Sequence, residues 1–150
     1  MKKHFMKKQA LIALSSLLVT SFAFALELDN TQWKTIDDNT GKTKALVEFQ
    51  KQSNGSYTAT IKKLLDPNAA KICDKCSGAQ KGKPMEGLTI VHNLKAQSAT
   101  KFDGGSILDP KSGKTYKMKA EVADGGKKLQ VRGYIGVAAL GRTQTWHRAN

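Results

Sequence analysis

Residues that usually carry catalysis are scarce in this chain of 150 residues, which has two cysteines, three histidines and only 12 acidic side chains. No serine or cysteine stands beside a plausible histidine and acid, and no pair of carboxylates is placed for proton transfer. Asp37-Asp38 and the isolated Asp103 and Asp109 sit among turn-like residues, where a carboxylate more often caps backbone amides. A phosphate-binding loop and a dinucleotide fingerprint are both missing. Gly104 and Gly105 read as a turn. No segment has the period of a long amphipathic helix, and there is no internal repeat or low-complexity tract. These absences argue against an enzyme, and they leave no expectation of a cofactor or a resident metal.

The N-terminus is better defined. Lys2, Lys3, Lys7 and Lys8 precede an apolar stretch from Ala10 to Phe22, and Ala23-Phe24-Ala25 gives a small-x-small cleavage signal before Leu26. The run is shorter than the roughly 20 residues a membrane anchor needs and is interrupted by Ser15 and Ser16. Residues 1 to 25 are therefore expected to be a signal peptide. Residues 26 to 150 then form one exported domain, periplasmic or secreted, with no transmembrane anchor after cleavage. Removing the four signal lysines from 25 basic residues leaves 21 against 12 acidic ones, a net charge of +9. Outside the cytoplasm the anions available to such a surface are envelope components more than nucleic acid, although the spread of the lysines also serves solubility.

From Trp33 onward apolar residues alternate with polar ones, and turn residues interrupt them every eight to twelve positions or so. Lys44 to Gln50 and Ser56 to Lys62 form a hairpin across Ser53-Asn54-Gly55, with Tyr57, Ala59 and Ile61 on one face. Tyr116, Met118, Ala120 and Val122 begin a second, which returns through Leu129, Val131, Gly133 and Ile135 after Asp124-Gly125-Gly126. Gly133 in mid-strand suggests a bend or bulge. Leu88 to Leu94, Ser106 to Leu108 and Arg142 to Arg148 complete about eight strands. Such a meander predicts an all-β, antiparallel up-and-down barrel, with a sandwich as the alternative. Leu65 to Gly87 has no periodicity and reads as a long loop.

That loop holds both cysteines. In an exported chain Cys73 and Cys76 read most simply as a local disulfide, worth about 2 kcal/mol by chain entropy. A redox dithiol is the sharper alternative, disfavoured by the negative charge of Asp74 between them. A zinc site completed by His92 and His147 is the third; those histidines fall on distant strands.

Three strings make the chain recognisable: D-P-K-S-G-K-T-Y from Asp109, L-Q-V-R-G-Y-I-G from Leu129, and G-R-T-Q-T-W-H-R from Gly141. Together with W-K-T-I-D-D-N-T-G-K from Trp33 and the C-D-K-C-S-G segment, they resemble the bacterial exported family called domain of unknown function 2147. The motif positions include Asp109, Pro110, Gly113, Arg132, Gly133, Tyr134, Gly136, Gly141, Arg142, Trp146 and Arg148. Phe102 departs from the pattern, which more often has tryptophan there. The resemblance implies a lipocalin-like barrel and no established activity. It also implies that an arginine of the last strand, Arg142 or Arg148, stacks on Trp33 and closes one end.

The functional expectation is an exported protein binding a small hydrophobic or amphipathic ligand inside the barrel. The candidate lining is Tyr57, Ile61, Tyr116, Met118, Val131 and Ile135. The same residues would equally fill a solid core. An envelope interaction module, acting through its basic surface or the Cys73–Cys76 loop on an anionic component, is the second reading. A redox or metal protein is the third.

Overall fold

The computed structural model describes residues 27–150; the expected signal peptide lies outside the described residues. Eight strands follow one another in the chain: β1 (Gln32–Ile36), β2 (Thr43–Lys51), β3 (Tyr57–Leu64), β4 (Thr89–Ala96), β5 (Lys101–Asp109), β6 (Lys114–Ala123), β7 (Lys128–Tyr134) and β8 (Arg142–Arg148). Each pairs antiparallel with its neighbour, and β8 returns to β1, so the sheet closes into a barrel. Closure removes both exposed sheet edges, which a sandwich would have kept. Among the described residues no helix is long and apolar enough to cross a membrane.

Period two decides which side chains enter the barrel. Ala45, Val47 and Phe49 of β2, Tyr57, Ala59 and Ile61 of β3, and Met118, Ala120 and Val122 of β6 are all buried, while their strand neighbours are half-buried or exposed. The pattern slips where the strands bulge. Asn93 takes a positive φ within β4, and the β5–β6 register shifts between Phe102 and Gly105. Gly104 and Gly105 thus lie inside a strand and not in the turn expected of them. A Cβ at Gly105 would stand 2.9 Å from Leu94, so the bulge lets β4 seat this buried leucine. Gly133, by contrast, makes no bulge: its register is unbroken, opposite Met118 on β6 and Arg142 on β7's other neighbour.

One end of the barrel is plugged. Residues 27–31 cross it, tied by Asn30 N–H to the Phe49 carbonyl and Phe49 N–H to the Thr31 carbonyl, and they bury Leu28. Trp33 beneath is fully buried and donates its indole N–H to Thr31 Oγ1 at 2.8 Å. The Arg148 guanidinium lies over its ring, 5.3 Å from the centroid, which identifies Arg148 and not Arg142 as the stacking partner. Tyr57 meets Phe102 edge-on at 5.7 Å, and Phe49 meets Trp146 at 6.4 Å. Burial pushes the Tyr57 hydroxyl above its ordinary pKa.

Candidate functional site

At the other end the strands separate around a cavity of about 640 Å³. Beneath it lie Trp146, Val47, Val131, Ile61 and Ile90, all buried in the core, and the half-buried Ile36, Leu64 and Ile107 form its accessible wall. Tyr116 faces it from β6. Next to Tyr116, Gly133 leaves a stretch of wall without a side chain: a Cβ there would sit 3.6–3.8 Å from Tyr116 and Ile107, in ordinary contact. The glycine is spacious, not strained, and the missing side chain widens the cavity.

Of the six lining candidates, Ile61, Tyr116 and Val131 meet on the cavity wall. Tyr57 and Met118 point inward but are buried away from it, Tyr57 against Phe102 in the plugged end. Ile135 does not line the barrel and is 68% exposed. The reason is local: β7 ends at Tyr134, and Gly136 turns the chain with φ +76°, so the strand alternation stops one residue too early to turn Ile135 inward. The sequence reading missed Val47, Ile90, Ile107 and Trp146 as lining. The alternation of Ala45, Val47 and Phe49 carried that signal for β2; the bulges hid it for β4 and β5.

The rim is charged. Five aspartates (Asp37, Asp38, Asp66, Asp74 and Asp109) and four bases (Lys44, Lys75, Lys111 and Arg142) surround the opening. Asp37 caps the β1–β2 turn: it accepts the Thr40 amide, and with the Lys44 ammonium 3.2 Å away its carboxyl is held down to about 2. That contact contributes above the ordinary carboxylate pKa of ~3.9 and is lost only as pH falls through about 2, so the turn stays tied down at mildly acid pH. Asp109 likewise accepts the Lys111 amide and the Ser112 hydroxyl, the capping role expected of it.

The barrel seam runs up to this rim. β1 and β8 pair at only two positions, Trp33 with Arg148 and Lys34 with His147, both toward the plugged end. Above them Thr35 and Ile36 have no partner on β8. Side chains bridge the gap instead: Asp38 accepts from Arg142 Nη2 and, at 3.1 Å, from Gln144 Nε2. Thr35, Ile36, Arg142 and Gln144 all line the cavity, so along this stretch its wall is closed by side chains and not by a backbone ladder.

The long loop between β3 and β4 covers part of the mouth. Cys73 and Cys76 form a disulfide, and Ile72 and Pro84 bridge the two limbs of the loop. Both cysteines are buried, at 0% and 2% exposure, under the β5–β6 turn, where Gly113 lies directly against the Lys75 carbonyl. A Cβ on Gly113 would overlap that carbonyl oxygen, and φ is +74°, so glycine is required twice over. With both sulfurs in the bond and covered, neither is a free thiolate for redox attack or for zinc. His92 on β4 and His147 on β8 lie on strands that do not pair, and no metal-sized cluster of ligands occurs among the described residues.

Arg132 and the remaining motif residues serve the β7–β8 loop. Arg132 donates to the carbonyls of Ala138 (2.7 Å) and Ala139 (3.2 Å) and to the Thr143 hydroxyl (2.8 Å). Gly141 lets the loop fold back, since a Cβ there would come within 2.6 Å of the Gly133 carbonyl and 2.7 Å of Tyr134. Pro110 contributes the carbonyl that Cys73 Sγ faces at 3.8 Å.

A closed eight-stranded antiparallel barrel, plugged at one end by a Trp–Arg stack and hollow at the other, is a lipocalin-like protein. The chain belongs to the family described as "Uncharacterized protein conserved in bacteria (DUF2147)", whose model matches residues 31–148. Among solved structures it is similar to protein HP1028 from Helicobacter pylori, described as belonging to the lipocalin family. The identity is 23%, the TM-score 0.71, and the match covers 83% of this chain and 84% of that one. At that identity the likeness speaks for the fold alone. No curated protein matches the chain.

Proposed function

We propose that this protein is an exported binding protein that holds a small, mostly apolar ligand in the open half of its barrel and catalyses no reaction. The observation that carries the proposal is the cavity itself: about 640 Å³, lined mainly by apolar side chains, with Thr35, Tyr116 and Gln144 as polar groups and the charged residues at the rim. Ligand pockets of ~300–1,000 Å³ with a few convergent polar groups are the usual size and character of small-molecule sites. The ligand's apolar body rests on Trp146, Val131 and Ile61, and its polar end lies among the rim charges near Arg142 and Gln144. Export is supported by the basic, apolar and small-residue pattern of residues 1 to 25 and by the Cys73–Cys76 disulfide. The domain then runs from residue 26 to residue 150.

Native mass spectrometry of the protein purified from the periplasm, followed by denaturing extraction, tests this. A stoichiometric adduct that leaves as a small amphiphile on denaturation is the expected result. A clean apo mass, with no uptake of added apolar ligands, would overturn the reading.

A further inference from the structure

Four large apolar side chains are exposed among the described residues, and all four stand at the open end: Ile72 (44% exposed) in the β3–β4 loop, and Ile135 (68%), Val137 (59%) and Leu140 (82%) in the β7–β8 loop. Single exposed apolar residues are ordinary, whereas three in one seven-residue loop mark a contact surface. The three in the β7–β8 loop belong neither to the core nor to the cavity wall. Nor are they exposed because the loop is slack. The Arg132 guanidinium grips the carbonyls of Ala138 and Ala139, Leu140 N–H bonds the Val137 carbonyl, and Gly141 holds the loop against the end of β7. The backbone is fixed so that these side chains point away from the barrel.

The charge beside this tip selects the partner. Lys117 lies opposite Tyr134 at the base of the loop, Lys111 and Lys114 flank the neighbouring β5–β6 turn, and Lys75 sits against that turn. All four are exposed, and none makes an ion pair among the described residues. Five aspartates share this end, but Asp37 and Asp38 are paired with Lys44 and Arg142 and Asp109 accepts from the Lys111 amide and the Ser112 hydroxyl of its own turn, which leaves Asp66 and Asp74 against the four unpaired lysines. An apolar tip beside a lysine-rich flank matches the interface of an anionic bilayer, where apolar side chains enter the headgroup region and lysines meet lipid phosphates. A second copy of the chain is a poor occupant, because it would bring the same lysines face to face.

We propose that the open end of the barrel docks on an anionic lipid surface through Ile135, Val137 and Leu140, with Lys75, Lys111, Lys114 and Lys117 on the β5–β6 side of them. Docking sets the mouth of the barrel against the lipid. It stands independently of what the cavity holds, because the three apolar docking residues do not line it and only Lys75 and Lys111 reach its rim.

The test is co-sedimentation of the mature protein with large unilamellar vesicles, either phosphatidylethanolamine–phosphatidylglycerol or phosphatidylcholine alone. Binding to the anionic vesicles should exceed binding to phosphatidylcholine by about tenfold or more and weaken in high salt. The triple variant Ile135→Ser, Val137→Ser, Leu140→Ser should lose about tenfold in partitioning with an unchanged melting temperature. Should the triple variant unfold, Leu140→Gln alone, at the most exposed position, should still lose a few-fold. Three results would each overturn the proposal: no binding to anionic vesicles, equal binding by wild type and the folded variants, or a dimer in sedimentation equilibrium that Leu140→Gln abolishes.

Discussion

The two ends of the barrel are made from the same strands by the same alternation, yet one is solid and the other hollow. At the plugged end the inward positions carry Trp33, Phe49, Tyr57 and Phe102, and Leu28 covers them. At the open end Gly133 has no side chain and Ile36, Ile107 and Tyr116 are only half-buried, above a buried floor of Val47, Ile61 and Trp146. Eight strands enclose just enough room for either outcome, so residue size, position by position, decides which half is core and which is cavity. The seam follows the same division: β1 and β8 share backbone hydrogen bonds beside Trp33 and only side-chain bridges beside the cavity. Dense packing and backbone pairing are thus concentrated at one end, and the open space at the other.

Substitutions should separate these roles, and Trp33→Ala should have the largest effect. It empties the centre of the plugged end and removes the surface under Arg148, and a loss of about 3–5 kcal/mol in chemical denaturation is expected. A midpoint close to wild type would break the contrast at once. Gly113→Ala comes next, at about 1–3 kcal/mol, because it adds left-handed strain and pushes the disulfide loop off the β5–β6 turn. That loop walls the mouth through Ile72 and Met85, so ligand exchange measured by stopped flow should quicken as well. Asp38→Ala is the smallest in stability, under about 1 kcal/mol, since the Arg142 partner is 68% exposed and the pair is well solvated. Its effect should fall on ligand exchange, because the pair closes the seam beside the cavity. A melting temperature lowered as far as by Trp33→Ala would mean that the open seam is structural after all.

Much of the fold was legible in the sequence, because hairpins advertise themselves. The β2–β3 and β6–β7 arms kept period two over most of their length, despite a register shift at Leu46–Val47, and their turn glycines stood between them. β4 and β5 were harder to see, since the bulges at Asn93 and Gly104–Gly105 break the alternation that reveals a strand. The cavity was only half legible. Alternation says that Tyr57, Ile61, Tyr116 and Met118 face inward, but says nothing of how far along the barrel each one lies, and it is depth that separates wall from core. Asp38 and Arg142 are 104 positions apart, and only the closure of the barrel brings them together. Ile135 looked inward because the alternation of β7 was extended one residue beyond the strand.

Gly133 is the position at which the hollow half can be filled without touching the solid one. Its backbone is regular, and a side chain built there projects toward Tyr116 and Ile107 with room for its first atom. The decisive measurement is the affinity of Gly133→Leu, beside wild type, for a fluorescent apolar probe such as N-phenyl-1-naphthylamine, with melting temperatures recorded on the same samples. Probe affinity falling about tenfold or more, with a melting temperature equal to or above that of wild type, is the result expected if the open half is the binding site. Undiminished probe binding by a folded Gly133→Leu would contradict it and move binding out of the barrel.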